Sequence, residues 1–127
     1  MFRYYNPNPR QVRNVGDCTV RAISKALDIS WNAAFIDLVI QGYLMADMPS
    51  SNKVMNAYLR SNGFSKHLID DTCPDCYTVR DFVRDHPYGT YILGTGTHVI
   101  AVESGCYFDS WDSGDESPQF YYKKEQF

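Results

Sequence analysis

The chain has 127 residues, 44% of them apolar, which suits one globular domain with its own core and excludes wholesale disorder. Its formal charge is −3 with the two signs interspersed, so a nucleic-acid binder's basic stripe is missing; only Arg3, Arg10, Arg13 and Arg21 could make a local basic face. No window approaches 18 consecutive apolar residues and the start has no apolar run of signal-peptide length, so no membrane partner is expected and the cytosol is the default location.

Residues 1 to 16 read as irregular, with Asn-Pro-Asn-Pro at 6 to 9. Helical spacing begins after Asp17, an expected N-cap, and carries Val20, Ile23 and Leu27. A second helix follows Ser30, with Trp31, Phe35, Leu38 and Val39 expected on its inner side and Gly42 near its end; 43 to 50, with Pro49, reads as a loop. Ser50 or Ser51 caps a third helix carrying Val54, Tyr58 and Leu59, which Asn62-Gly63 stops. A short extended stretch over 64 to 69 leads to a polar turn, and Thr78 caps a helix with Val79, Phe82 and Val83 inward, ending before Pro87. From Tyr88 the pattern turns to strands: Tyr91 to Leu93, His98 to Glu103, Cys106 to Trp111 and Gln119 to Lys123. Helices first and an antiparallel sheet second is the α+β arrangement, and residues 1 to 127 read as a single domain.

Cys18 is the informative cysteine. As first residue of a helix its sulfur lies near unpaired backbone N–H groups and the positive end of the helix dipole, both of which favour thiolate. Its plainer alternative is a small buried packing residue. His98 opens a strand after a Gly-rich turn, where an imidazole can face a cleft from a rigid support. If Ser104-Gly105 is a two-residue turn, Glu103 pairs with Cys106 and His98 with Trp111. Alternation then puts Asp109 on the His98 face, one diagonal step away, and Asp112 on the other; a one-residue slip reverses that choice. A thiol, an imidazole and a carboxylate so placed have the nucleophile, base and orienting-acid logic of acyl transfer, and Trp111 is a candidate wall beside His98.

Three segments carry a resemblance: Gly16 to Ile23, Thr97 to Val102 and Tyr107 to Gly114, with Cys18, His98 and Asp109 in that order. In these the chain resembles the papain-like cysteine peptidase superfamily, and within it the short members from bacteria and their phages. The resemblance implies a papain-like α+β fold, a Cys18–His98–Asp109 triad working through a thioester, a peptide or protein substrate, no cofactor, and a bacterial or host cytosol. It also implies a second oxyanion donor a few residues before the nucleophile, for which Gln11 and Asn14 are the nearest candidates. A papain-like scaffold that binds a partner protein without turning over substrate is the alternative.

Cys73-Pro74-Asp75-Cys76 has metal-ligand spacing, but a second ligand pair is absent, so an ordinary turn with reduced thiols is expected over a zinc module or a redox pair. Cys106 reads as a packing residue, His86 as a helix-end cap and His67 as exposed.

Overall fold

The structure, a computed structural model, describes residues 1–11 and 15–125. Its elements are β1 (Phe2–Tyr4), α1 (Cys18–Leu27), α2 (Trp31–Met45), α3 (Asn52–Ser61), β2 (Phe64–Leu68), α4 (Val79–Asp85), β3 (Thr90–Gly94), β4 (Val99–Glu103), β5 (Cys106–Asp109) and β6 (Phe120–Lys124). This is an α+β protein. Among the described residues six strands form one open sheet in the order β1-β5-β4-β3-β6-β2, with β1–β5 the one parallel pair. No helix among the described residues is long and apolar enough to cross a membrane.

Local chemistry sets the helix ends. The Ser30 hydroxyl accepts the Ala33 N–H, the Ser51 hydroxyl accepts the Lys53 and Val54 N–H groups, and Thr78 with Asp81 forms a reciprocal capping box. At the other ends Asp28 and Ala46 turn left-handed, and His86 precedes Pro87. The Nδ1 of His86 also lies 2.8 Å from the Phe82 carbonyl, which gives this histidine an end-capping position.

Strand alternation divides the core between the two faces of the sheet. Ile92, Val99, Ala101 and Tyr122 pack under α1, α2 and α3, through Ile23, Leu38, Val54 and Leu59. Tyr91, Leu93, Ile100, Val102 and Tyr107 pack with Val79, Phe82 and Val83 of α4. The central strand β4 is therefore covered on both faces, which explains its unbroken apolar run.

Several expectations need correction. The N-terminal residues are not wholly irregular: Phe2 to Tyr4 pair with Tyr107 to Asp109. The stretch after α3 is a full edge strand, paired with β6. Helix α2 runs on through Met45, into the expected loop, and its inner residues are Ala34, Leu38 and Gly42. A Cβ on Gly42 would lie 2.7 Å from the Asp47 carbonyl oxygen, so the 47–49 turn closes directly onto the helix. Phe35 and Val39, expected inward, are 42% and 38% exposed. Cys73 and Cys76 are not reduced; a disulfide joins them, and their thiolates are not open to a metal in this state.

Candidate active site

Two hairpin ends and one helix start meet at one end of the sheet. Ser104 and Gly105, with φ of 51° and 76°, make the left-handed two-residue turn that pairs Glu103 with Cys106. That register puts His98, just before β4, beside Asp109, the last residue of β5. The edge strand holds the same place from the other side, because the Tyr5 N–H donates to the Asp109 carbonyl at 2.8 Å. Cys18 begins α1, which crosses β4.

His98 Nε2–H donates to Asp109 Oδ2 at 2.6 Å. With Nε2 so engaged, Nδ1 is the nitrogen left facing the sulfur, and Cys18 shares the cleft with the His98 ring and Val99, near enough for both to act on its thiol. Asp109 is fully buried and accepts three further donors: Ser113 Oγ at 2.7 Å, Arg21 at 2.9 Å and the Ser110 N–H at 2.8 Å. Four donors on one carboxylate compensate the cost of burying it.

Arg21 is the residue that sequence reasoning missed. Counted there toward a possible basic face, it is 5% exposed and forks between Asp109 Oδ1 and Asp17 Oδ1, the latter at 2.8 Å. Asp17 Oδ2 in turn accepts the Trp31 Nε1–H at 2.9 Å. Asp17 stands at the helix start as expected, but its side chain makes no capping hydrogen bond. The i, i+4 spacing of Asp17 and Arg21 was the available signal; nothing in it said that the pair is buried. Because Asp17 is turned to Arg21 and Trp31, it does not occupy the first-turn N–H groups beside Cys18.

The titration behaviour follows from these contacts. Burial pushes the Cys18 thiol up, but the His98 hydrogen bond and charge, the Val99 N–H and the Arg21 guanidinium outweigh it, leaving Cys18 below the ordinary 9.0. Burial pulls His98 down, and the hydrogen bonds and charges of Asp109 and Cys18 reverse this, raising it from 6.5 to about 9. For Asp109 burial acts upward, yet His98, Ser113 and Arg21 together hold it below 3.8. Both shifts run in the direction of a thiolate beside an imidazolium.

A cleft of about 190 Å³ opens on the pair, lined by Cys18, Thr19, Ser50, Asn52, Thr97, His98 and Phe120 among others. Trp111, 47% exposed, leans over His98 with ring centroids 4.9 Å apart. A second recess of similar size adjoins it through Gly16, Thr19 and Ser50, and its far wall is apolar: Val15, Val20, Trp31, Phe35 and Leu38.

The remaining sequence candidates fall elsewhere. Gln11 is exposed and its side-chain amide donates to the Asn6 and Asn8 carbonyls; it does not line the cleft. Asn14 lies outside the described residues. Asp112, the fallback acid, binds Arg80 and the Tyr107 hydroxyl. His67 is exposed and stacks on Tyr121, and Cys106 is free at the start of β5. Comparison with protein-family models, with curated proteins and with solved structures found no match to this chain.

Proposed function

We propose that the chain is a cysteine-dependent acyl hydrolase of papain-like type, acting on an amide or isopeptide bond in a peptide or protein. The observation that carries the reading is Cys18 and His98 sharing one cleft with His98 hydrogen-bonded to Asp109, the thiol held down and the imidazole held up. In this mechanism the Cys18 thiolate attacks the carbonyl carbon and the carbonyl π electrons move to oxygen. When the tetrahedral oxyanion collapses, the imidazolium gives its proton to the departing amine and a thioester forms. His98 then takes a proton from water as water adds to the thioester. A second collapse expels the Cys18 thiolate, leaving imidazolium and a carboxylic acid that loses its proton to solvent, and the site is restored.

The oxyanion falls near the first turn of α1, where the Cys18 N–H is one donor. Asn52 supplies the second in this reading: it lines the cleft, and its side-chain amide has no hydrogen-bond partner among the described residues. The apolar recess beside Thr19 suits a medium-sized apolar side chain of the substrate, and Trp111 shields one face of His98.

Gln11 favours the silent-scaffold reading, since the amide that would complete a papain-like oxyanion site is spent on its own loop. Two reactions separate the readings. Iodoacetamide at pH 6 to 7 should alkylate Cys18 at least about tenfold faster than Cys106, the other free cysteine and the internal standard. p-Nitrophenyl acetate should then be turned over through an acetyl group on Cys18, visible by mass spectrometry and absent in Cys18→Ser. Equal alkylation of the two cysteines removes the nucleophile; fast alkylation without deacylation leaves a scaffold.

A further inference from the structure

Helix α2 is apolar on its outer side as well as its inner one, with Asp37 and Gln41 as a narrow polar stripe between them. Ala34, Leu38 and Gly42 are buried against the domain, yet on the outer side Phe35, Ile36, Val39, Ile40, Tyr43 and Leu44 are between 38% and 84% exposed. A helix patterned in this way belongs in an interior. The six outer side chains expose on the order of 600 Å² in one patch, at the upper end of what monomers carry. Asp37 is the helix's single charged residue, and it accepts the Tyr58 hydroxyl at 2.6 Å.

We propose that this face is the interface of a two-fold symmetric homodimer, formed by α2 against α2 of a second copy. Three features select that occupant. Self-association needs a surface complementary to itself, and an uncharged helix face meets its own copy without like-charge repulsion. Antiparallel pairing centred between Val39 and Ile40 sets Ile36 against Tyr43 of the second copy at both ends of the seam, with Val39 and Ile40 flanking the two-fold axis and Phe35 and Leu44 on the two margins. The two patches together bury on the order of 1,200 Å², which reaches the size of a stable interface. A lipid surface fits less well, because α2 carries no Lys or Arg to meet head groups. Phe35 also stacks on Trp31 at 5.1 Å and lines the apolar recess beside the Cys18 cleft, so the interface borders the proposed substrate groove without using Cys18 or His98.

Sedimentation velocity of the full chain across a concentration series tests this. The wild type should sediment with twice the chain mass, and Ile40→Glu/Leu44→Glu should self-associate at least about 100-fold more weakly with an unchanged far-ultraviolet spectrum. Tyr43→Lys, at the most exposed position of the six, is the second variant should the double one not fold. Ile36→Lys combined with Tyr43→Glu in one chain should restore the dimer that each disrupts alone. A wild-type chain monomeric at about 100 μM overturns the proposal. So does a dimer that persists in both the double variant and Tyr43→Lys, or a monomer that instead binds phosphatidylcholine vesicles through this face. Iodoacetamide labelling of Cys18 in the monomeric variants keeps failure of the dimer distinct from failure of the hydrolase reading.

Discussion

The molecule holds two clusters of the same composition: an arginine between two aspartates, with an aromatic donor on one of the carboxylates. In the first, Arg21 binds Asp17 and Asp109, Asp17 accepts the Trp31 N–H, and the three charged side chains are at most 6% exposed. In the second, Arg80 binds Asp112 and Asp115, Asp112 accepts the Tyr107 hydroxyl, and exposure runs from 47% to 91%. Burial separates their consequences. In the first cluster water does not screen the charges, so the carboxylate field reaches His98 and moves a group that titrates near neutrality. In the second, burial and the Asp112 hydrogen bond push Tyr107 up to about 12, where its proton does not change hands at physiological pH. The same residues make a switchable site in one place and a surface tie in the other.

The sharpest way to break this contrast is to remove each arginine. Arg21→Met strands two buried carboxylates and should cost about 3–5 kcal/mol in urea unfolding. Arg21→Lys, which keeps the charge but loses the fork that reaches both aspartates, should fall between wild type and Met. A loss under about 1 kcal/mol in Arg21→Met would mean that the cluster is not carrying the Asp109 charge.

Next in size is a change in pH dependence. His98 is raised in the folded state, so its contribution to stability is complete below 6.5 and lost as pH climbs through about 9. Cys18 is lowered, so its contribution is complete above 9.0 and lost as pH falls through its folded value. Amide cleavage should accordingly show an alkaline limb near 9, where the imidazolium loses the proton needed by the departing amine. Asp109→Asn removes the charge that offsets the cost of burying the imidazolium. Its alkaline limb should move down by two units or more, measured with an amide substrate. A limb that stays near 9 would show that Asp109 does not hold His98.

Much of this site was legible because it rests on short-range rules. A two-residue turn at Ser104-Gly105 sets the register, and register alone distinguishes Asp109 from Asp112. Ser30, Ser51 and Thr78 announced their helices through hydroxyl capping. What stayed hidden is non-local or ambiguous in period. Three residues of β1 gain their partners on β5, about a hundred positions away, and no local pattern foretells that. Apolar residues on both sides of α2 leave its periodicity unable to choose between Ala34-Leu38-Gly42 and Phe35-Val39 as the inner face. Arg21 looked like a surface charge because a sequence shows charge and not depth.

A smaller effect separates proton handling from oxyanion binding. Asn52 belongs to neither cluster and touches the cleft. Asn52→Ala should slow p-nitrophenyl acetate turnover about 100-fold, the usual cost of one oxyanion donor. Alkylation by iodoacetamide forms no oxyanion, so its rate should stay at the wild-type value. A parallel loss in both reactions would assign Asn52 to holding Cys18 rather than to the transition state.

The smallest expected effect completes the contrast. Arg80→Gln and Asp112→Asn remove a well-formed ion pair with the partners 3.1 Å apart, nearly half exposed on both sides. Water solvates either partner once the other is gone, and holding two long side chains in place already offsets much of the attraction. Both variants should therefore keep the wild-type thermal midpoint within error and the wild-type pH profile of Cys18 alkylation, with Tyr107 alone titrating differently above pH 10. If Asp112→Asn instead displaced the alkylation profile, Asp112 would be acting on His98 from the opposite strand face. The pairing of Glu103 with Cys106, on which the assignment of Asp109 depends, would then be the wrong register.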